Sequence, residues 1–284
     1  MKPGLVTGRR LVVSSLAVAG MFLAALCAPR AGAQACTLAI TGPLNFGTYT
    51  GAQIRSTTPY AVTCAGAWDI TMGTGTGAGA TETQRYLTGP NGAELGYEIY
   101  RDSAYSQNWG DTYPSDTFDG TGNYKGTIYA QLNSGQIGPP GTYTDTVDSA
   151  TTHFILTVVV QSACAISANP LSFGNYSGTV LDVNTTLSVT CTDTIPYNVG
   201  LSAGTATGAT VTNRMMTGPG GALLHYSLYS NSSYSTNWGN SAGSWVGGTG
   251  TGKSQTLTVY GQIPASQRPT AGNYTDTVIA TVTY

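Results

Sequence analysis

The chain is 284 residues long with 38 Gly, 18 Tyr and 13 Pro, and 8% of its residues are charged, against about 25% in an average soluble protein. That excludes a charged helical bundle or coiled coil. A formal charge of −2, from 11 basic and 13 acidic residues, leaves no basic stripe to meet phosphates, so no nucleic acid is expected as a partner.

Taken from the N-terminus, residues 1–33 read as a signal peptide. Lys2, Arg9 and Arg10 precede an apolar run over 11–28, and Ala31-Gly32-Ala33 offers small residues for cleavage. The mature chain is then expected to begin near Gln34 and to be exported. Removing residues 1–33 takes away four basic groups, Lys2, Arg9, Arg10 and Arg30, and no acidic one, which leaves a net charge of −6.

The remainder repeats itself once, at a period suited to a duplicated domain rather than a solenoid. Leu44-Asn45-Phe46-Gly47-Thr48-Tyr49 returns as Leu171-Ser172-Phe173-Gly174-Asn175-Tyr176. RYLTGPNGAELGYEIY at 85–100 returns as RMMTGPGGALLHYSLY at 214–229, YSQNWGD at 105–111 as YSTNWGN at 234–240, and GTYTDTV at 141–147 as GNYTDTV at 272–278. Cys36 and Cys64 lie 28 apart, Cys164 and Cys191 27 apart, so each copy most simply closes its own disulfide, although spacing alone leaves three pairings open. Zinc is the competing use of four cysteines, but no C-x₂-C pair occurs and an exported chain is oxidised.

Both copies read as β structure. Apolar and polar residues alternate at 97–100, 127–132 and 256–260, with Gly, Pro, Asn and Ser between. Two tandem β-sandwiches follow: 34–152, a connecting strand at 153–163, and 164–284. Stretches 113–122 and 243–252 read as long exposed loops.

The copies differ most at their ends. After GTYTDTV the first copy enters HFILTVVVQSA at 153–163, where Phe154, Leu156, Val158 and Val160 have the spacing of a strand that completes domain one's sheet. After GNYTDTV the second copy has only the alternating run 279–284. Domain two is therefore expected to be one strand short, with Val278, Ala280, Val282 and Tyr284 along an acceptor edge. An open edge exposes core and unpaired backbone groups, and needs a partner strand.

Taken together, the early Cys, the Phe-Gly-x-Tyr unit, the second Cys about 27 residues on, TGP-x-GA, the NWG turn and G-x-YTDTV resemble two tandem spore coat protein U domains, the pilin module of archaic, Csu-type chaperone-usher fimbriae. The resemblance covers 36–284. It implies an incomplete immunoglobulin-like fold, capture by a periplasmic pilus chaperone, transfer to an outer-membrane usher, and polymerisation with an adjacent pilin subunit that donates a strand. Only Gln34 and Ala35 would precede Cys36 in the mature chain, against the roughly 8 to 11 residues a donor strand needs. The resemblance is thus to a two-domain tip adhesin, displayed at the fimbrium tip or cell surface, with the first domain meeting an abiotic or host surface and starting biofilm. A secreted spore-coat or matrix protein of the same module is the alternative, and a sugar-binding sandwich a third.

Surface contact is expected where domain one departs from domain two, at Tyr113, Pro114 and Phe118 on a loop. Trp109 and Trp238 recur and are expected to be structural; Trp68 aligns with Tyr197 and is expected in the core. An enzyme is not indicated: His153 and His225 have no repeated partner, and no Gly-x-Ser-x-Gly elbow, phosphate loop or HExxH helix occurs. No cofactor or metal is implied; Asp69, Asp102, Asp111, Asp116 and Asp119 lack EF-hand spacing.

Overall fold

The computed structural model describes residues 36–149 and 152–284; the signal peptide expected at 1–33 lies outside them. Among the described residues the secondary structure is strand apart from two single 3₁₀ turns. The strands form around two separate hydrophobic cores.

The first core is enclosed by β1 (Thr37–Ile40), β2 (Leu44–Tyr49), β3 (Ile54–Thr63), β4 (Ala67–Ile70), β5 (Arg85–Thr88), β6 (Glu94–Tyr100), β7 (Phe118–Thr121), β8 (Tyr124–Leu132), β9 (Gly141–Ser149) and β10 (Thr152–Val160). Eight of them make one sheet in the order β1-β3-β8-β6-β5-β9-β10-β2, and β4 pairs with β7. The sheet curls until its ends meet: the Ser56 hydroxyl on β3 donates to the Asn45 carbonyl on β2 at 2.7 Å. Period-two alternation sends Leu44, Phe46, Tyr97, Ile99, Ile128, Tyr143 and Leu156 into the enclosed space.

The second core lies between β11 (Cys164–Ala168), β12 (Leu181–Cys191), β13 (Pro196–Leu201), β14 (Arg214–Thr217), β15 (Leu223–Tyr229), β16 (Val246–Thr249), β17 (Ser254–Ile263) and β18 (Ala280–Thr283). Its sheets are β11-β12-β17-β15-β14 and β16-β13-β18. Disulfides join Cys36 to Cys64 and Cys164 to Cys191, one within each copy.

The duplicated motifs occupy the same places in both copies. Trp109 and Trp238 are buried and donate their indole N–H to the carbonyls of Ile70 (2.9 Å) and Val199 (2.8 Å). Arg85 and Arg214, at 0% exposure, lie beneath them, each donating to the tryptophan's own carbonyl and to two carbonyls twelve and thirteen residues upstream. A buried guanidinium is tolerable only with its donors satisfied, which is why the arginine recurs with the tryptophan. Burial pushes both guanidinium pKa values down, against the pull of the nearby Tyr97 and Tyr226 and of Asp145 and Asp276.

The stretches read as long loops hold short strands. Phe118–Thr121 pairs with β4, and Val246–Thr249 with β13. Their Gly-rich composition hid them: Gly120 and Gly248 lie against the rings of Trp68 and Tyr197, where a Cβ would collide, so glycine there serves packing rather than a turn.

Candidate functional site: an open strand position in the second domain

In domain one, β10 lies between β9 and β2. It pairs antiparallel with β9, Phe154 opposite Val147, Leu156 opposite Asp145, Val158 opposite Tyr143 and Val160 opposite Gly141. With β2 it runs parallel, Leu156 beside Leu44 and Val160 beside Tyr49. Phe154, Leu156, Val158 and Val160 point inward at 4%, 0%, 0% and 7% exposure. At roughly 1.5–3 kcal/mol per buried large apolar side chain, an upper estimate, the four supply about 6–12 kcal/mol, as much as the net stability of a typical domain.

Among the described residues of domain two nothing occupies the corresponding position. The counterparts of β2 (171–176) and β9 (272–280) flank a groove of about 540 Å³ lined by Leu171, Phe173, Met216, Tyr226, Leu228 and Val278, among others. The cost of the missing strand shows in matched residues. Leu44, Phe46, Tyr143 and Val147 are buried, whereas Leu171, Phe173, Tyr274 and Val278 are only partly so.

One polar pair crosses the groove wall. The Tyr226 hydroxyl donates to Asp276 Oδ2 at 2.7 Å, and Asp276 Oδ1 accepts the Thr205 N–H (2.8 Å), the Thr205 hydroxyl (2.9 Å) and the Thr277 N–H (2.7 Å). Burial alone would raise the Asp276 pKa, but the hydrogen bonds from Thr205, Tyr226 and Thr277 outweigh it and hold the carboxyl below its ordinary value. Burial, then the hydrogen bond to Asp276, pushes the Tyr226 phenol well up.

Of the residues expected along the acceptor edge, Val278 and Ala280 line the groove. Val282 and Tyr284 do not. Ala280–Thr283 forms β18 and pairs antiparallel with β13, Val282 opposite Val199, while Tyr284 is exposed. Alternation reveals which face of a strand is apolar but not which strand it will pair with. The wall formed by Leu171, Phe173, Met216, Tyr226, Leu228 and Tyr274 escaped the sequence reading. Its signal was present in the repeat, since Leu171 and Phe173 match Leu44 and Phe46.

The three surface candidates separate. Tyr113 is 66% exposed and joined to the exposed Pro114 by a cis peptide bond. Phe118 turns inward, its ring centroid 5.7 Å from Trp68, 5.7 Å from Trp109 and 5.4 Å from Tyr124. It opens β7 opposite Ile70, and that register sends it to the core. Trp68 and Tyr197 are both buried, and Trp245 is 39% exposed. His153 is exposed, and His225 Nδ1 lies 2.9 Å from Asn213 Oδ1.

Fold and groove together define a class: a two-domain, pilin-like all-β protein with an open strand position in its second domain. Spore Coat Protein U domain models match residues 22–149 and 150–281, and the chain belongs to that family. It is 31% identical over 142 residues to Protein U of Myxococcus xanthus, spanning 44% of this chain and 79% of that protein. The fold is similar, at a TM-score of 0.53 and 17% identity, to a chain of the CsuC-CsuE chaperone-tip adhesion subunit pre-assembly complex from archaic chaperone-usher Csu pili of Acinetobacter baumannii, covering 88% of this chain and all of that one. The family is one of structural proteins rather than enzymes.

Proposed function

We propose that this protein is a fimbrial subunit that accepts a strand from another polypeptide into the groove of domain two, and that it serves as a tip adhesin whose first domain meets the surface being colonised. The observation that carries the proposal is the internal contrast. One sequence motif, used twice, is buried under β10 in the first copy and left half-open in the second. Exposed apolar wall and unpaired backbone in a sheet are met by strand addition. β18 directs the chain onto β13 and away from the groove, so the residues that directly follow 272–279 do not fill it.

In this reading a periplasmic chaperone covers the groove before assembly, an usher mediates exchange, and a neighbouring pilin's strand replaces the chaperone. The likeness to a chain of a chaperone-tip adhesion subunit complex supports the chaperone step and the tip position. Tyr113 and Pro114 are the exposed contact candidates of domain one, and biofilm initiation is the expected consequence of attachment. The processing expected at 33/34 places the mature protein outside the cytoplasm.

The test is co-expression with a pilus chaperone of the Csu type. A one-to-one complex that protects 171–176 and 272–280 from hydrogen exchange, and that an added donor peptide releases, supports the proposal. A monomer whose groove segments are already protected refutes it and favours the coat or matrix role suggested by the family's name and by the similarity to Protein U.

A further inference from the structure

Domain one contains a template for what the groove of domain two accepts. The residues that receive β10 are repeated along the groove in the same order: Val147, Asp145, Tyr143 and Gly141 become Val278, Asp276, Tyr274 and Gly272, and Leu44 and Tyr49 become Leu171 and Tyr176.

Both lips are held without a strand between them. On one, the Tyr176 hydroxyl donates to the Pro264 carbonyl at 2.7 Å and accepts the Gln267 N–H at 3.1 Å. On the other, Thr275 and Thr217 exchange two main-chain bonds of 2.9 and 3.1 Å, and the Ser202 N–H donates to the Ile279 carbonyl at 2.9 Å. Those bonds point away from the groove. Among the described residues, the main-chain groups of Tyr274, Asp276 and Val278 have no main-chain partner. The site is therefore preorganised for an extended segment.

Asp276 sets the register. Its counterpart Asp145 accepts the same four hydrogen bonds, from Thr76 N–H (2.7 Å), Thr76 hydroxyl (2.6 Å), Thr146 N–H (2.7 Å) and Tyr97 hydroxyl (2.5 Å), and lies under β10 at 1% exposure, opposite Leu156. A carboxylate already satisfied by its own domain can be covered by an apolar side chain at small cost. A second carboxylate across from it would be repelled in a medium of low dielectric. The floor carries smaller side chains than in domain one. Gly261 and Val259 stand where Ala130 and Ile128 stand, with Phe173 Cζ and Leu171 Cδ1 at 2.9 and 3.0 Å from the place a Gly261 Cβ would take.

We propose that the incoming strand of a separate polypeptide runs antiparallel to 272–280 in one register. From its N-terminal end it places an aromatic side chain over Val278, a leucine-sized one over Asp276, and β-branched aliphatic ones over Tyr274 and Gly272. This is the order of Phe154, Leu156, Val158 and Val160. It rests on the strand-acceptor reading above and adds direction, register and residue class to it. A one-residue slip would turn the alternate, polar set inward.

The test uses the full mature chain and three peptides on a soluble carrier: 152–160 itself, the same peptide carrying Leu156→Asp, and the same composition in reverse order. Binding is read by titration calorimetry, and position by hydrogen exchange together with a spin label at the peptide's N-terminal end. The expected result is that 152–160 protects both lips with its N-terminus beside Val278, that Leu156→Asp weakens binding at least about 30-fold, and that the reversed order weakens it at least about 10-fold. Equal binding by the reversed peptide, or a label beside Gly272, overturns the inference while leaving strand acceptance intact. Failure of these peptides together with a native pilin donor refutes strand acceptance itself. A native donor that binds with apolar residues in a different order refutes only the present assignment.

Discussion

The repeat supplies a matched pair that isolates the missing strand. Leu44 and Leu171 are the same residue at the same place in the duplicated motif; the first is at 0% exposure beneath β10, the second partly open to the groove. Leu44→Ala deletes three carbons, a transfer loss of about 2.4 kcal/mol at ~0.8 per methylene. It also leaves a closed cavity of roughly 60–80 Å³, adding about 1.5–2 kcal/mol at ~24 cal/mol/Å³. The sum, about 4 kcal/mol, lies in the range of measured Leu→Ala losses. Leu171→Ala opens no closed cavity, because one side already faces the groove, and it loses only the buried share of the transfer energy, about 1–1.5 kcal/mol. Calorimetry of the mature protein, disulfides intact, should resolve one transition per domain. At roughly 3–5 °C per kcal/mol for domains of this size, Leu44→Ala should lower the first transition by about 12–20 °C, and Leu171→Ala the second by about 3–8 °C. A bound donor strand should then enlarge the Leu171→Ala loss toward the Leu44→Ala value. Equal losses in the free protein would mean that the groove is already filled, and the contrast between the domains would fall.

Three further outcomes are expected. Hydrogen bonding with Asp111, then burial, then Asp116 pushes the Glu82 carboxyl up to about 7 from its ordinary 4.5. This raised group stabilises domain one below pH 4.5, and its contribution is lost as pH rises through about 7. The domain one transition should therefore fall between pH 5 and 8 and flatten in Glu82→Gln, whereas an unchanged slope would rule the carboxylate cluster out as the cause. Asp276 titrates in the opposite sense: its depressed pKa gives stability that is present above its ordinary 3.8 and lost as pH falls through the lower folded value. Asp276→Asn should lower the domain two transition at pH 7 and converge with wild type near pH 2, and a constant gap would refute an ionic origin. Replacing Cys164 and Cys191 by Ala opens a loop of separation 27 and should cost domain two about 3.5 kcal/mol in the chain-entropy estimate. In differential scanning calorimetry the domain one transition should stay in place, and movement of both would show that the two cores unfold as one.

Much of this protein can be read without coordinates, because it is written twice. The repeated Trp-Gly turns, the two cysteine spacings and the alternation at 127–132 and 256–260 identify tandem β domains, with one bridge in each as the simplest pairing. The apolar run after Ser149, without a counterpart after Val278, marks a difference in strand count. Such features are local or periodic, and periodicity is a property of sequence.

Pairing is not. Nothing in the alternation of 279–284 distinguishes a free edge from β18 laid against β13, and nothing in the composition of 113–122 sends Phe118 inward while leaving Tyr113 in solvent. Strand partners distant in sequence made both choices: Ile70 for Phe118 and Val199 for Val282. The groove itself is the clearest case: Leu171 and Phe173 are indistinguishable in kind from Leu44 and Phe46, and they form an open wall only because no described strand lies across them.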